Sequence, residues 1–411
     1  MRILVDQSGY ELLNLGDVAM LQACVRRLEA LWPTARIMVL AHEPDVLAAY
    51  CPGVTAIGKS LANRRIRRGL RGRYGWVWKS ASSYLPGHLP AQVAGESTPR
   101  TAVEAVRAAD LVVASGGGYV TDAFWGHAVG VLSVLSLAQR LGKPTAMFGQ
   151  GIDAVRSRLV RAQAHRVLPR LAVLGLRDGI TSPAAAVSLG ANHRTVRITG
   201  DDALELLPDV AADEGDALGF NIRMAAYAGT ASFTTAEVAE PVLEASDQLG
   251  APIVALPISR YPYRPDLGAI DGAFRSLSRR AEIIAEDLAT PRELIDVTAR
   301  CRVVVSGSYH AALFALGLGI PAVCLTRTPY YDGKFRGLRG WFPDLVSVVP
   351  LQQPGVASRL RAAINEAWGL PHNVRADARA AAFEQREAGR GAYRELRALV
   401  GAQGVSAGQW S

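Results

Sequence analysis

Short apolar runs recur through the first half of the chain, each followed by a polar or glycine-rich break and then by apolar residues at helical spacing. The runs Ile3–Val5, Ile37–Leu40, Val54–Ile57, Leu111–Ala114, Thr145–Phe148, Ala172–Leu176 and Thr195–Thr199 predict strands. Between them, Leu21, Val25, Leu28 and Trp32 share one face of a helix opened by Asp17. Further helices are predicted near Val46–Tyr50, at Ala102–Ala109, Phe124–Leu141 and Leu159–Leu168, and after Ser182. Gly149, Gln150 and Gly151 predict a turn. A second alternating unit begins with strand Ala217–Ile222, helix Thr235–Leu249 and strand Ile253–Pro257. Its centre is Val303–Leu325, which reads as strand, turn, buried helix and strand. From Val356 onward the pattern is helical, and Gly401–Ser411 is expected to be disordered.

Strand and helix alternating in this way predict parallel sheets covered on both faces. At 411 residues the chain is long for a single core. The acidic, aperiodic segment Leu207–Asp216 reads as a linker. The expected division is 1–206, 217–350 and a set of terminal helices over 356–400. Two Rossmann-like parallel-sheet domains facing across a cleft form a glycosyltransferase-B-like α/β architecture, and fold alone does not fix chemistry. Cys24, Cys51, Cys301 and Cys324 form no CxxC pair and lie in or beside apolar segments, so neither disulfides nor zinc is expected. MRILVDQSGY has the pattern of a first strand rather than a signal peptide, and the apolar stretches fall short of a spanning helix, so the expected location is cytoplasmic.

Charge changes the picture at one place. The net charge is +8, and Asn63–Ser80 holds seven basic residues (Arg64, Arg65, Arg67, Arg68, Arg71, Arg73 and Lys79) and no acidic one, so removing them leaves +1. Arginines interleaved with Tyr74, Trp76 and Trp78 suit a peripheral contact of residues 63–79 with the inner face of a membrane or with a lipid phosphate. A solvated loop is the rival reading, and no recognised nucleic-acid-binding fold surrounds the run.

Several polar groups fall where predicted strands end and helices begin, the crevice in which open α/β sheets bind ligands. Asn14 and Asp17 follow the first strand; Asp17 also suits a plain helix start. Ser115–Gly118 and Gly149–Asp153 leave room for a ligand to approach the backbone, or serve tight packing. Arg177 and Asp178 end a fourth strand, and Asp201 and Asp202 a fifth. In the second unit Arg223 suits an anion or a strand-end ion pair. Ser308, Tyr309 and His310 open the buried helix, whose first-turn amides can hold an anion; His310 is an acid/base candidate or a packed core histidine.

Seven stretches occur together in order: NLGDVAM, SGGGYVTD, FGQGID, GLRD, GDDA, FNIR, and SGSYHAALFALGLGIPAV followed by YYDGK. In that order the chain, from about residue 1 to 335, resembles the polysaccharide pyruvyl transferase family. The resemblance implies a glycosyltransferase-B-like fold and transfer of the pyruvyl group of phosphoenolpyruvate to a sugar as a ketal. It implies a donor site of Arg223, Ser308, Tyr309, His310 and Lys334, with His310 as acid and Asp17 as base. Asn14, Asp17, Gly117, Gly118 and Gln150 are the implied acceptor contacts, the acceptor being a sugar, glycan or lipid-linked glycan. The scheme requires no metal or cofactor.

One position departs from the family pattern. Ser308-Tyr309-His310 stands where members usually carry Arg-Leu-His, so a donor-binding arginine is missing. Arg260, Arg327 or Arg336 are the expected substitutes. The alternative is a glycosyltransferase-like enzyme whose nucleotide-sugar diphosphate is held by Arg223 and Lys334. A third reading is a member that binds without turnover.

Overall fold

The computed structural model describes residues 1–58, 101–209, 214–223, 236–262, 265–275, 277, 283–284 and 286–407. The basic segment 63–80 and part of the expected linker lie outside the described residues. Strands β1 (Arg2–Asp6), β2 (Arg36–Leu40), β3 (Thr55–Ile57), β4 (Leu111–Ala114), β5 (Gly117–Val120), β6 (Thr145–Ile152), β7 (Val173–Leu176) and β8 (Val196–Ile198) form the first sheet. Its order is β3-β2-β1-β4-β6-β7-β8, with β5 paired to β6. The second sheet contains β9 (Ala217–Asn221), β10 (Ile253–Ala255), β11 (Ile283–Ile284), β12 (Cys301–Ser306), β13 (Ala322–Thr326) and β14 (Val346–Pro350), in the order β11-β10-β9-β12-β13-β14. All named pairings are parallel. Parallel strands buried on both faces need continuous apolar runs, which is why LVVA and VVVS read as they do.

The helices are α1 (Leu15–Leu31), α2 (Pro44–Tyr50), α3 (Ala102–Ala108), α4 (Trp125–Arg140), α5 (Arg158–Val167), α6 (Ser182–Ser188) and α7 (Ala236–Leu249). They continue with α8 (Asp266–Arg275), α9 (Pro291–Thr298), α10 (Tyr309–Gly317), α11 (Pro329–Trp341), α12 (Val356–Trp368) and α13 (His372–Ala407). Every residue of α10 is buried. Its apolar surface shares one cluster with Leu15, Ala19 and Met20 of α1, so a common core joins the two halves. Each leucine fully buried there stabilises the junction by about 1.5–3 kcal/mol.

Helix α13 links the halves a second time. Ala378 and Ala382 pack in the shared cluster, whereas Ala392, Tyr393 and Leu396 pack with β1, β2 and α1. Tyr393 stacks on Phe148 at 3.7 Å and donates a 2.9 Å hydrogen bond to Asp202. Two expectations are corrected. The helix runs to Ala407, into the segment expected to be disordered. Gly149–Gly151 is not a turn, because β6 continues to Ile152 through a register shift that Gly149, at φ +58°, accommodates.

Candidate active site in the cleft between the sheets

The turn from β12 into α10 is built by Ser306. Its hydroxyl accepts from the Ser308 amide and donates to the Ser308 carbonyl, both at 2.9 Å. Ser308 is the N-cap residue but makes no side-chain cap, and the turn delivers His310 to the junction. There the imidazole lies against the start of α1, in the space a side chain on Gly16 would need. Two helix N-termini, one from each half, therefore meet around one histidine. His310 Nε2 lies 3.9 Å from Asp201 Oδ2 and, among the described residues, has no hydrogen-bond partner.

Three cations surround this point. Arg177 comes from the end of β7, stacks over the Tyr309 ring at 3.9 Å, and lies 3.5 Å from Asp201 Oδ2. Lys334 comes from α11, with Nζ 4.2 Å from the centre of the Tyr330 ring. Both approach Gly118: a Cβ there would lie 2.9 Å from an Arg177 nitrogen and 3.3 Å from Lys334 Nζ. Arg223 is the third, its guanidinium held at 3.1 Å by the buried Asp266. Helix α11 is docked across the cleft by Tyr330, which donates to the Gly118 carbonyl at 2.9 Å, and by Trp341, which donates to the Arg177 carbonyl at 3.0 Å. Gly118, Gly151, Asp153, Arg177, Tyr309 and Lys334 line the resulting hollow.

The electrostatics follow from burial and crowding. Burial, reinforced by Arg177, Lys334 and Arg223, pushes the His310 imidazole well below its ordinary pKa. Burial and Arg177 push Lys334 down in the same way. The Asp17 carboxyl is raised by burial against the pull of a Ser8 hydrogen bond and the three cations. Asp201 is pushed up to about 6 by burial, with Arg177 opposing. The cleft is thus crowded with basic groups, whose charged forms an anion would stabilise.

The residues expected from sequence divide sharply. Gly118, Tyr309 and Lys334 line the hollow, His310 and Asp17 lie close to its cations with Arg223, and Ser308 sits in the turn that leads into α10. Three implied acceptor contacts are engaged within the protein itself. Gln150 is fully buried, and its amide donates to the Ser115 and Phe148 carbonyls at 2.7 and 3.0 Å. Gly117 is buried against Tyr119 and Ser8, where a Cβ would collide. The Asn14 side chain caps α1, accepting from the Gly16 and Asp17 amides at 3.0 and 3.2 Å. Arg223 does make the strand-end ion pair. Of the expected substitute arginines, Arg260 points to the Ala289 carbonyl at 3.4 Å and Asp287 at 3.9 Å, and Arg336 is exposed on α11. Arg327 lines a neighbouring hollow with Arg223. The arginine beside His310 is Arg177, which sequence reasoning noted at a strand end but left out of the site. Its signal was GLRD within the ordered motifs, since an arginine closing a buried strand faces the crevice.

Comparison with known proteins bears on the fold and the family. No curated protein matches the chain. Among solved structures, the S. aureus MnaA–UDP co-structure superimposes with a TM-score of 0.59 at 10% identity, covering 94% of this chain and 93% of that one. The UDP-GlcNAc 2-epimerase of Neisseria meningitidis, bound to UDP-GlcNAc, gives 0.58 at 10% identity over 96% and 99%. The glycotransferase of kitacinnamycin gives 0.57 at 13% identity over 97% of each chain. These likenesses show the fold, a glycosyltransferase-B-like pair of Rossmann-like sheets. A family model described as polysaccharide pyruvyl transferase matches residues 14–329, most of the chain. The chain belongs to the polysaccharide pyruvyl transferase family.

Proposed function

We propose that the protein transfers the pyruvyl group of phosphoenolpyruvate to a sugar as a ketal, with residues 1–206 on the acceptor side and 217–350 on the donor side. The observation that carries this reading is the pairing of Arg177 and Lys334, cations from opposite halves, over bare glycine backbone beside His310. Phosphoenolpyruvate brings a phosphate and a carboxylate on three carbons, and Arg177, Lys334 and Arg223 offset that charge. Arg177 takes the place of the arginine missing at 308.

In the reaction a sugar hydroxyl adds to C2 while a proton goes to the methylene carbon. Phosphate then leaves with the C–O electron pair, and a second hydroxyl of the same sugar closes the ketal. His310 donates the proton, with Asp201 orienting the imidazole, and Asp17 takes the hydroxyl proton. Bound donor raises the pKa of His310 by offsetting the surrounding cations, which favours the protonated form of the acid when the substrate is in place. The alternative, a nucleotide-sugar donor, is favoured only by a fold shared with proteins solved with UDP and UDP-GlcNAc.

The test is incubation with phosphoenolpyruvate and a panel of sugar, glycan and lipid-linked acceptors, following phosphate release and the ketal methyl signal by NMR. Both signals appearing together support the reading. Release of nucleoside diphosphate from a nucleotide sugar, with no phosphate from phosphoenolpyruvate, overturns it.

A further inference from the structure

A cationic face covers one side of the first sheet. Between Ala154 and Gly200 the chain carries eight arginines and one acidic residue, Asp178, which is buried. Two of the eight are committed elsewhere: Arg177 lies in the cleft beside Asp201, and Arg197 pairs with Glu395 at 2.6 Å. Arg156, Arg158, Arg166, Arg170 and Arg194 are exposed and Arg161 is half-buried; among the described residues none of these six forms an ion pair. Asp122, beside the start of α5, is engaged by the Arg156 and Ser157 amides at 2.8 and 2.9 Å.

Helical period aligns these charges. Helix α5 turns Val160, Ala164 and Val167 into the core, which leaves Arg158, Ala162, His165 and Arg166 on its outer side. Helix α6 lies alongside: its Ala186 shares that core cluster, and a Cβ on Gly190, just beyond it, would lie 2.8 Å from His165 Nδ1. The outer sides of the two helices therefore form one surface. Large apolar side chains stand out beside its arginines, Leu159, Ile180 and Val187 being 38%, 54% and 60% exposed. The surface also adjoins the catalytic hollow, because Asp153 and Thr181, which line the hollow, sit in the loops that open α5 and α6, and the exposed Arg156 and Ile180 sit in those same loops.

We propose that this face of α5 and α6 docks on a bilayer rich in anionic phospholipid, which seats the mouth of the cleft at the headgroup layer. Spread over two helices and their loops, the arginines match an extended negative surface rather than a single ion. Leu159, Ile180 and Val187 decide between such surfaces: a bilayer has apolar depth just below its headgroups to receive them, and a nucleic-acid backbone has none. The apolar side of α5 is already taken by the core, so the helix rests on the headgroups and does not insert. This docking surface stands apart from the pyruvyl-transfer reading and from the basic segment 63–80.

The experiment is flotation of the full chain with vesicles of phosphatidylcholine alone and of phosphatidylcholine with about one third phosphatidylglycerol. The protein should float with the anionic vesicles, stay behind with the neutral ones, and dissociate as salt rises. Arg158→Glu/Arg166→Glu should lower the partition coefficient by about tenfold or more, each arginine near an anionic surface being worth about fivefold. Leu159→Ser should lower it by about threefold, as one partly exposed apolar side chain is lost. Amide hydrogen exchange, which needs no variant and so survives a misfolded one, should slow over 156–170 and 180–188 when anionic vesicles are present. No flotation, equal binding to neutral vesicles, an unchanged partition in the double variant, or slowing confined to 63–79 overturns the proposal. Tighter binding of a nucleic-acid oligonucleotide than of anionic vesicles, lost in the same double variant, overturns it as well and makes the face a nucleic-acid surface.

Discussion

The carboxyl edges of the two sheets carry similar motifs but use them differently. On the first edge most of the polar groups that stand out in sequence serve the backbone: Asn14 caps α1, Gln150 ties β6 to the Ser115 loop, and Asp178 accepts from the Ile180, Thr181 and Ser182 amides at 3.1, 2.6 and 3.1 Å. On the second edge Ser308 makes no side-chain cap, and His310 and Lys334 reach into the junction. Arg177 is the exception on the first edge, and its guanidinium lies over Tyr309 of the second. A polar residue at a strand end is left to face the cleft only where no nearby backbone group claims it. That is the difference between Asn14 and Arg177.

The most severe break of this contrast is His310→Gln, which should lower turnover by the roughly 10²–10⁴ typical of a lost general acid while the folded protein persists. Loss of several kcal/mol in denaturant titration with full activity per folded molecule would instead make His310 a packing residue. Gly16→Ala comes next: its methyl enters the imidazole's space, so it should cost about 1–3 kcal/mol or displace His310 and depress turnover. Unaltered stability together with unaltered kcat would contradict the close meeting of the two helix starts. On the first edge Gln150→Leu should cost about 1–3 kcal/mol by removing two buried hydrogen bonds to carbonyls, with KM for either substrate unchanged. Smallest is Asn14→Ala, expected to lose about 1 kcal/mol as a missing cap. A raised acceptor KM in either variant would restore those residues to the substrate site.

Asp201 gives the contrast a pH signature. Its folded pKa, about 6, exceeds the ordinary carboxyl value of 3.8. Between those limits the folded state binds more protons than the unfolded one, so this group makes stability fall as pH rises from about 4 to 6. Asp201→Asn should flatten that part of the stability curve, measured by urea titration across the window. A curve of unchanged slope would mean Asp201 is ionised throughout.

Much of the fold was legible because parallel strands buried on both faces write continuous apolar runs, and LVVA and VVVS could be little else. The continuation of β6 was not, since Gly149 and Gly151 carry the composition of a turn. Only the positive φ of Gly149 and pairing with β5 and β7 keep that segment extended. Within the site, His310 and Lys334 were legible from their motifs. The inward bonds of Gln150 and the fit of Gly117 were not, because they depend on which chain segment lies alongside. Arg177 shows the same limit from the other direction. Its neighbours His310, Tyr309 and Lys334 lie far along the chain, and packing of α10 against α1, with α11 docked through Tyr330 and Trp341, brings them together.

The central claim is that cations from both halves form one anion site around His310. Calorimetric titration of phosphoenolpyruvate into the wild-type protein and into Arg177→Met, in buffers of different ionisation enthalpy, tests it most directly. Burial and crowding hold His310 and Lys334 low, so binding an anion should raise both pKa values and take up protons. The account predicts saturable binding with proton uptake, affinity that falls as pH rises, and a loss of about tenfold or more in Arg177→Met. Binding of equal strength in Arg177→Met, or an affinity and proton balance indifferent to pH, would contradict it.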